Sequence, residues 1–228
     1  MTIPTPLERV LQKYSNDFIP ILDGFAKEHY TLLDLSTKNP ALGEIDITQV
    51  EGCQKYVDGI VERQNAKVAY GGYLEQRNLY SGNGHFAGAG DKRNIHLGMD
   101  FWAQADTRVR VPLSGKVHSF KNNSTSGDYG PTIILEHELE GMVFHTLYGH
   151  LSVASLNDLF VGKEFQAGSI MASLGTPDIN VNYAPHLHFQ IIDDMGSYYG
   201  DYPGVSTAND LKYYANNCPN PNFLLKVD

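Results

Sequence analysis

Apolar residues recur at three- and four-residue intervals near the start of the chain, at Leu7, Val10, Leu11, Tyr14 and Phe18, with Glu8, Arg9, Gln12 and Lys13 between them. This period predicts an amphipathic helix that begins after Pro6 and breaks at Pro20. A second stripe, Val50, Cys53, Tyr56, Val57, Ile60 and Val61, predicts a helix from about Thr48 to Gln64. Thr48 followed by Glu51 has the spacing of a capping box and makes Thr48 the expected N-cap. Tyr30 to Leu35 reads as a short strand, and Asn39-Pro40 with Gly43 as a loop. After Gly71-Gly72 the texture changes to short runs separated by turn residues. The expected strands are His96 to Trp102, Thr107 to Pro112, Gly115 to Asn122, Thr132 to Glu138, Met142 to His150, Ser169 to Leu174 and His186 to Ile192,. The fold expected is mainly β, a rolled or sandwiched antiparallel sheet, with an α-rich N-terminal extension. Residues 1–90 form that extension, 91–195 the β-rich core, and 196–228 a tail of Tyr, Asn and Pro that wraps the surface.

Composition narrows the function. The 228 residues are 42% hydrophobic and 19% charged, enough to bury a core,. The formal charge of -9 and the lack of any Lys/Arg run longer than a pair weigh against nucleic acid and anionic lipid as partners,. No stretch is apolar for long enough to span a membrane, and the N-terminus has no signal-like apolar run. A cytoplasmic protein is therefore expected, or an exported one whose leader has been removed. Cys53 and Cys218 lie too far apart for a metal-ligand pair and read as ordinary thiols. Of the nine histidines, all but His29 fall between positions 85 and 188.

Three short motifs hold the chemistry. In His96-Leu97-Gly98-Met99-Asp100, strand alternation puts His96 and Asp100 on one face, with Gly98 between them leaving room for an ion,. In His186-Leu187-His188-Phe189-Gln190-Ile191, the two histidines and Gln190 share one face and the apolar residues take the other. Both histidines could bind one ion, or one could bind while its neighbour moves protons. In Tyr148-Gly149-His150-Leu151, alternation sets Tyr148 and His150 together and His145 opposite, which makes His150 the proton-transfer candidate if that face is the site wall. The glycine run from Gly82 to Gly90 lacks the Gly-Lys-Ser/Thr of a phosphate loop and reads as a loop preceding the site, with Asn83 or His85 as cleft candidates,.

Together, and in this order, the three motifs resemble the M23 family of zinc metallopeptidases of the lysostaphin or LytM type. The likeness extends over about 95 to 192, including Val109 to Val117, Gly127 to Gly130 with Ile133 to His137, and Gly162 with Gly168. It implies that His96, Asp100 and His188 bind Zn2+ and leave a fourth position for water. It implies that His150 and His186 are the acid–base pair, with Tyr148 behind the ligands or in the substrate wall. The implied activity is hydrolysis of an amide bond in a peptide or peptidoglycan fragment. His137 has a counterpart in the family, but between Glu136 and Glu138 it reads as structural; His29, His85, His118 and His145 read as background.

The substrate has competing readings. The segment from Asp178 to Ala184 replaces the family's glycine-rich approach to the last motif, and Gln190 stands where an acidic residue is common. The N-terminal helices and the ending from Gly200 onward resemble a subgroup of M23 domains fused to aminotransferase and phosphotransferase domains, which implies an intracellular, non-wall amide. A non-catalytic M23-like binding module and a non-haem iron oxygenase use the same residue types, although the His-x-Asp spacing of the latter is absent.

Overall fold

A computed structural model describes residues 4–43, 45–78, 92–125, 127–180 and 183–228. The elements in chain order are α1 (Pro6–Tyr14), β1 (Tyr30–Leu32), α2 (Val50–Arg63), β2 (Val68–Gly71), β3 (Ile95–His96), β4 (Met99–Trp102), β5 (Arg108–Arg110) and β6 (Gly115–Asn123). They continue with β7 (Gly130–Leu139), β8 (Met142–Gly149), β9 (Glu164–Phe165), β10 (Ile170–Ser173), β11 (His186–Ile192), β12 (Val205–Ser206), α3 (Leu211–Asn217) and α4 (Asn222–Leu225).

The main sheet has eight strands in the order β1-β2-β4-β11-β8-β7-β6-β9, and two ribbons, β10-β5 and β12-β3, lie beside it. All pairings are antiparallel except β1 with β2. The expected mainly β fold is therefore present, but the N-terminal stretch is not only helical. It adds β1 and β2 to the edge of the sheet, next to β4. Val68 to Gly71 shows neither alternation nor turn-bounded length in the sequence, because all four residues are buried.

Two-residue alternation gives the sheet two different faces. On one, Phe101, Leu187, Phe189, Ile191, Tyr148 and Leu135 form the largest core, covered by β5, by Leu7 and Leu11 of α1 and by Leu224 and Leu225 of α4. Among the described residues, the other face is covered at its two ends and left open between them. At one end α2 packs Cys53, Tyr56 and Val57 against Ala69 and Trp102. At the other, the C-terminal segment packs Tyr202 and Cys218 against Leu147, Ile134 and Ile192. The 196–228 segment thus does more than wrap the surface, since Cys218 and Leu224 are fully buried and β12 pairs with the strand that ends in His96. Its polar texture hid these anchors because they are short buried runs, Asn217 to Pro219 and Leu224-Leu225, among polar and Tyr-rich residues.

Helix starts were only partly legible. α1 begins in a capping box, in which Thr5 Oγ1 accepts from the Glu8 N–H and the Glu8 carboxylate accepts from the Thr5 N–H. Thr48 does not cap α2. Asp46 Oδ1 accepts from both the Thr48 N–H and its hydroxyl, so the side chain is spent in a turn and Gln49 becomes an N-cap without a side-chain bond,. Gly52 sits where a Cβ would collide with the Asp46 carbonyl, which explains a glycine inside the helix. Both cysteines are free and buried.

Candidate metal centre and cleft

The expected strand from His96 to Trp102 is interrupted. β3 ends at His96 and β4 starts at Met99, and Gly98 lies in the jog, where a Cβ would stand 2.7 Å from His188 Cε1, His188 Nε2 and the Phe189 carbonyl oxygen. The glycine lets the His188 ring lie flat against the neighbouring backbone. Register then completes the group, because His188 pairs with Asp100 and His186 with Trp102 across β11 and β4.

Three ligand-type atoms converge. His96 Nε2 is 2.8 Å from His188 Nδ1 and 3.2 Å from Asp100 Oδ1, and His188 Nδ1 is 3.1 Å from the same oxygen. The outward nitrogens are accounted for: His96 Nδ1 lies 2.9 Å from the Gly72 carbonyl and His188 Nε2 lies 2.9 Å from Gln190 Oε1. Each outer nitrogen therefore donates its proton outward, and the inner nitrogens face each other as lone pairs. Gln190 is itself fixed, donating to the Pro203 carbonyl and toward Cys218 Sγ. Two lone pairs and a carboxylate oxygen this close repel unless a cation lies between them, so the donor set fits a divalent metal. Among the described residues this is the group of His, Cys, Asp and Glu able to hold an ion.

Electrostatics agree with that fit. Burial pushes the His96 imidazole down to about 4, so it is neutral and ligand-ready at pH 7. For Asp100, burial opposes ionisation, but His96 and Arg77 outweigh it and hold the carboxyl well below the usual range,. Arg77 Nη1 donates to Asp100 Oδ2 at 2.5 Å.

His186 and His150 flank the group, their ring centroids 4.1 Å apart. His186 Nδ1 lies 2.7 Å from the Ala184 carbonyl and its ring stacks on Trp102 at 5.5 Å. Burial lowers both imidazoles, His150 the further of the two, and the neighbouring His186 and His188 add to the shift of His150. His150 arrives by a route that simple alternation does not describe. β8 ends at Gly149, and His150 has φ of 60°, a left-handed turn that swings its ring toward that of His186,. Tyr148 points the other way, against the expectation that it lies at the site. It is fully buried, packs on Phe189 at 5.2 Å and accepts from Thr146 Oγ1. That hydroxyl is in turn 2.6 Å from His137 Nε2, so His137 is structural.

These groups form the floor of a cleft of about 410 Å³. Tyr129 lines it, its ring 5.0 Å from that of His188. The opposite wall, Tyr198 to Val205, comes from the C-terminal segment, and a Cβ on Gly204 would collide with the Tyr129 hydroxyl. Arg77 carried no motif that marked it for the site, Gly72 only the Gly71-Gly72 pair, and Tyr129 lies in the Gly127 to Gly130 segment of the family likeness, which was not read as part of the site. The candidates Asn83 and His85 lie outside the described residues. No helix among the described residues is long and apolar enough to cross a membrane.

Fold and site thus define a β-sheet protein with a buried His–Asp–His group, able to hold an ion, at the base of a cleft. Residues 94–199 match the profile of peptidase family M23. No curated protein matches the sequence. Among solved structures, the catalytic domain of the antimicrobial peptidase lysostaphin from Staphylococcus simulans is 22% identical, over 71% of this chain and 96% of that one, with a TM-score of 0.39. Helicobacter pylori Csd3 is 23% identical over 51% of this chain and 29% of its own, TM-score 0.35. An M23 protein of Pseudomonas aeruginosa is 18% identical over 58% of this chain and 44% of its own, TM-score 0.39. The chain therefore spans less than half the length of the last two.

Proposed function

We propose that the protein is a zinc-dependent peptidase that hydrolyses an amide bond in peptides of the peptidoglycan type. In this reading His96, Asp100 and His188 hold the metal and His150 and His186 move the protons. The observation that carries it is the convergence of His96 Nε2, His188 Nδ1 and Asp100 Oδ1 within 3.2 Å of one another, with both outer ring nitrogens already bonded. Zinc bound by three protein ligands acts as a Lewis acid on a carbonyl and brings the pKa of a water toward neutrality.

The rest is chemistry of the side chains. With its Nδ1 proton given to the Ala184 carbonyl, His186 keeps a lone pair on Nε2 and can accept a proton from the attacking water. Burial keeps it neutral and ready to do so. His150, beside it, can donate an N–H hydrogen bond to the developing oxyanion, while His186, once protonated by the water, can pass that proton to the leaving nitrogen; their 4.1 Å separation disfavours both being charged at once,. The cleft of about 410 Å³, bordered by Tyr129, Tyr183 and the C-terminal wall, has room for a short extended peptide.

The test is zinc content together with turnover on purified peptidoglycan fragments, read as newly released amines. About one equivalent of zinc is expected, lost in His96→Ala, Asp100→Ala and His188→Ala. His150→Ala and His186→Ala should keep the metal and lose about 10²–10⁴-fold in turnover. A folded wild-type protein without zinc, or one with zinc that releases no amines, overturns the reading.

A further inference from the structure

Arg77 is 1% exposed and reaches the metal centre from the segment ahead of β3. Its guanidinium donates from Nη1 to Asp100 Oδ2 and from Nε to Glu75 Oε2, each at 2.5 Å. Its Cζ lies 5.6 Å from the centre of the Trp102 ring, and the same ring is stacked with His186 at 5.5 Å and an interplanar angle of 19°. Space for the guanidinium depends on Gly72, where any Cβ would strike Nη2. The same Gly72 supplies the carbonyl that accepts from His96. One cation therefore touches the carboxylate of the ligand group, the backbone behind His96 and the ring beneath His186.

A buried guanidinium next to a cation site works against metal affinity, since the two positive charges repel at low dielectric. Holding the ion tightly does not account for its presence. Its position on Asp100 does. Oδ1 faces the two imidazole lone pairs, whereas Oδ2 is turned away and bound to Nη1. A carboxylate free of such a partner can ligate through both oxygens. We propose that Arg77 is a positioning residue that restricts Asp100 to ligation through Oδ1, keeping a coordination position free for water and the substrate carbonyl, and that through Trp102 it fixes the plane of His186. This rests on the reading of His96, Asp100 and His188 as metal ligands.

Cobalt(II) in place of zinc reports coordination number through its visible d–d band, which weakens when a four-coordinate site becomes five-coordinate. Wild type should bind one equivalent and show the strong band. Arg77→Met should bind the same amount, show a band weakened several-fold, and lose at least tenfold in kcat with KM within threefold. Arg77→Lys, a point charge without the planar fork, should fall between the two in both. In the metal-free proteins Trp102, the single tryptophan, should change emission in Arg77→Met. If Arg77→Met does not fold, the intermediate band and kcat of Arg77→Lys carry the test. A wild-type cobalt band and turnover in the folded variants would overturn the inference alone, as would loss of cobalt binding by folded Arg77→Met. Failure of the wild type to bind cobalt or zinc would instead overturn the metal reading beneath it.

Discussion

Gly98→Ala adds one methyl group to the His96–Asp100 motif, and its cost can be worked out from the structure. The new Cβ would stand 2.7 Å from Cε1 and Nε2 of His188 and from the Phe189 carbonyl oxygen, against an optimal carbon separation of about 3.5–4.0 Å. Relief needs a shift of roughly 0.8–1.3 Å. The Phe189 oxygen belongs to β11, which is paired on both sides, with β4 and with β8, and cannot move that far cheaply. The His188 ring must therefore yield. Moving it breaks its 2.9 Å contact with Gln190 and takes Nδ1 away from His96 and Asp100, whereas ligand distances in a metal site hold to about 0.2 Å. Overpacking of this kind costs about 1–3 kcal/mol, which for a chain of this size lowers Tm by about 2–12 °C in the metal-free protein. Zinc affinity should fall by about 10–100-fold, as when the partners that orient a ligand are lost. Thermal melting of the metal-free variant and a competitive zinc titration measure the two effects. A wild-type Tm with zinc affinity within threefold would refute the steric argument. A lowered Tm with unchanged affinity would show that the backbone, and not the ring, had moved.

The remaining predictions concern pH and helix capping. His137 and His96 are pushed down to about 4 by burial, while an unfolded histidine titrates near 6.5. Below pH 6.5 the unfolded chain binds more protons, so stability of the metal-free protein is complete above that pH and is lost as pH falls toward 4, by up to about 1.4 kcal/mol per pH unit for each histidine. Urea midpoints between pH 7 and 4.5 should show this slope, and His137→Gln should reduce it; a flat profile would contradict the burial argument. Thr5→Ala removes the capping bond at the start of α1 and should cost about 1 kcal/mol, whereas Thr48→Ala, which caps nothing, should leave the helix content of α2 unchanged by circular dichroism.

What the sequence disclosed and what it hid follow from how far apart the cooperating residues lie along the chain. Alternation placed His186, His188 and Gln190 on one face of β11 correctly, because that strand is regular and buried throughout. The i and i+4 spacing of His96 and Asp100 also pointed to two side chains that do meet, although the chain jogs at Gly98 and no single strand joins them. His150 was reached through a parity that fails: Tyr148, two residues before it, faces the core, and only the left-handed backbone at His150 turns the ring toward the cleft. Local pattern does not reveal such a turn, since histidine, although enriched several-fold at positive φ, still adopts it too rarely to mark the position. The supports of the ligand group were illegible for a different reason. Arg77 is a lone arginine 23 positions before Asp100, and Pro203, whose carbonyl accepts from Gln190, lies in a stretch that reads as surface. Gln190 in turn holds the outer nitrogen of His188. Which nitrogen of His188 faces inward is thus set from the C-terminal segment, and the orientation of Asp100 from the N-terminal one. The motifs name the atoms that can bind a metal, but their protonation and direction come from segments that the chain brings in from both ends.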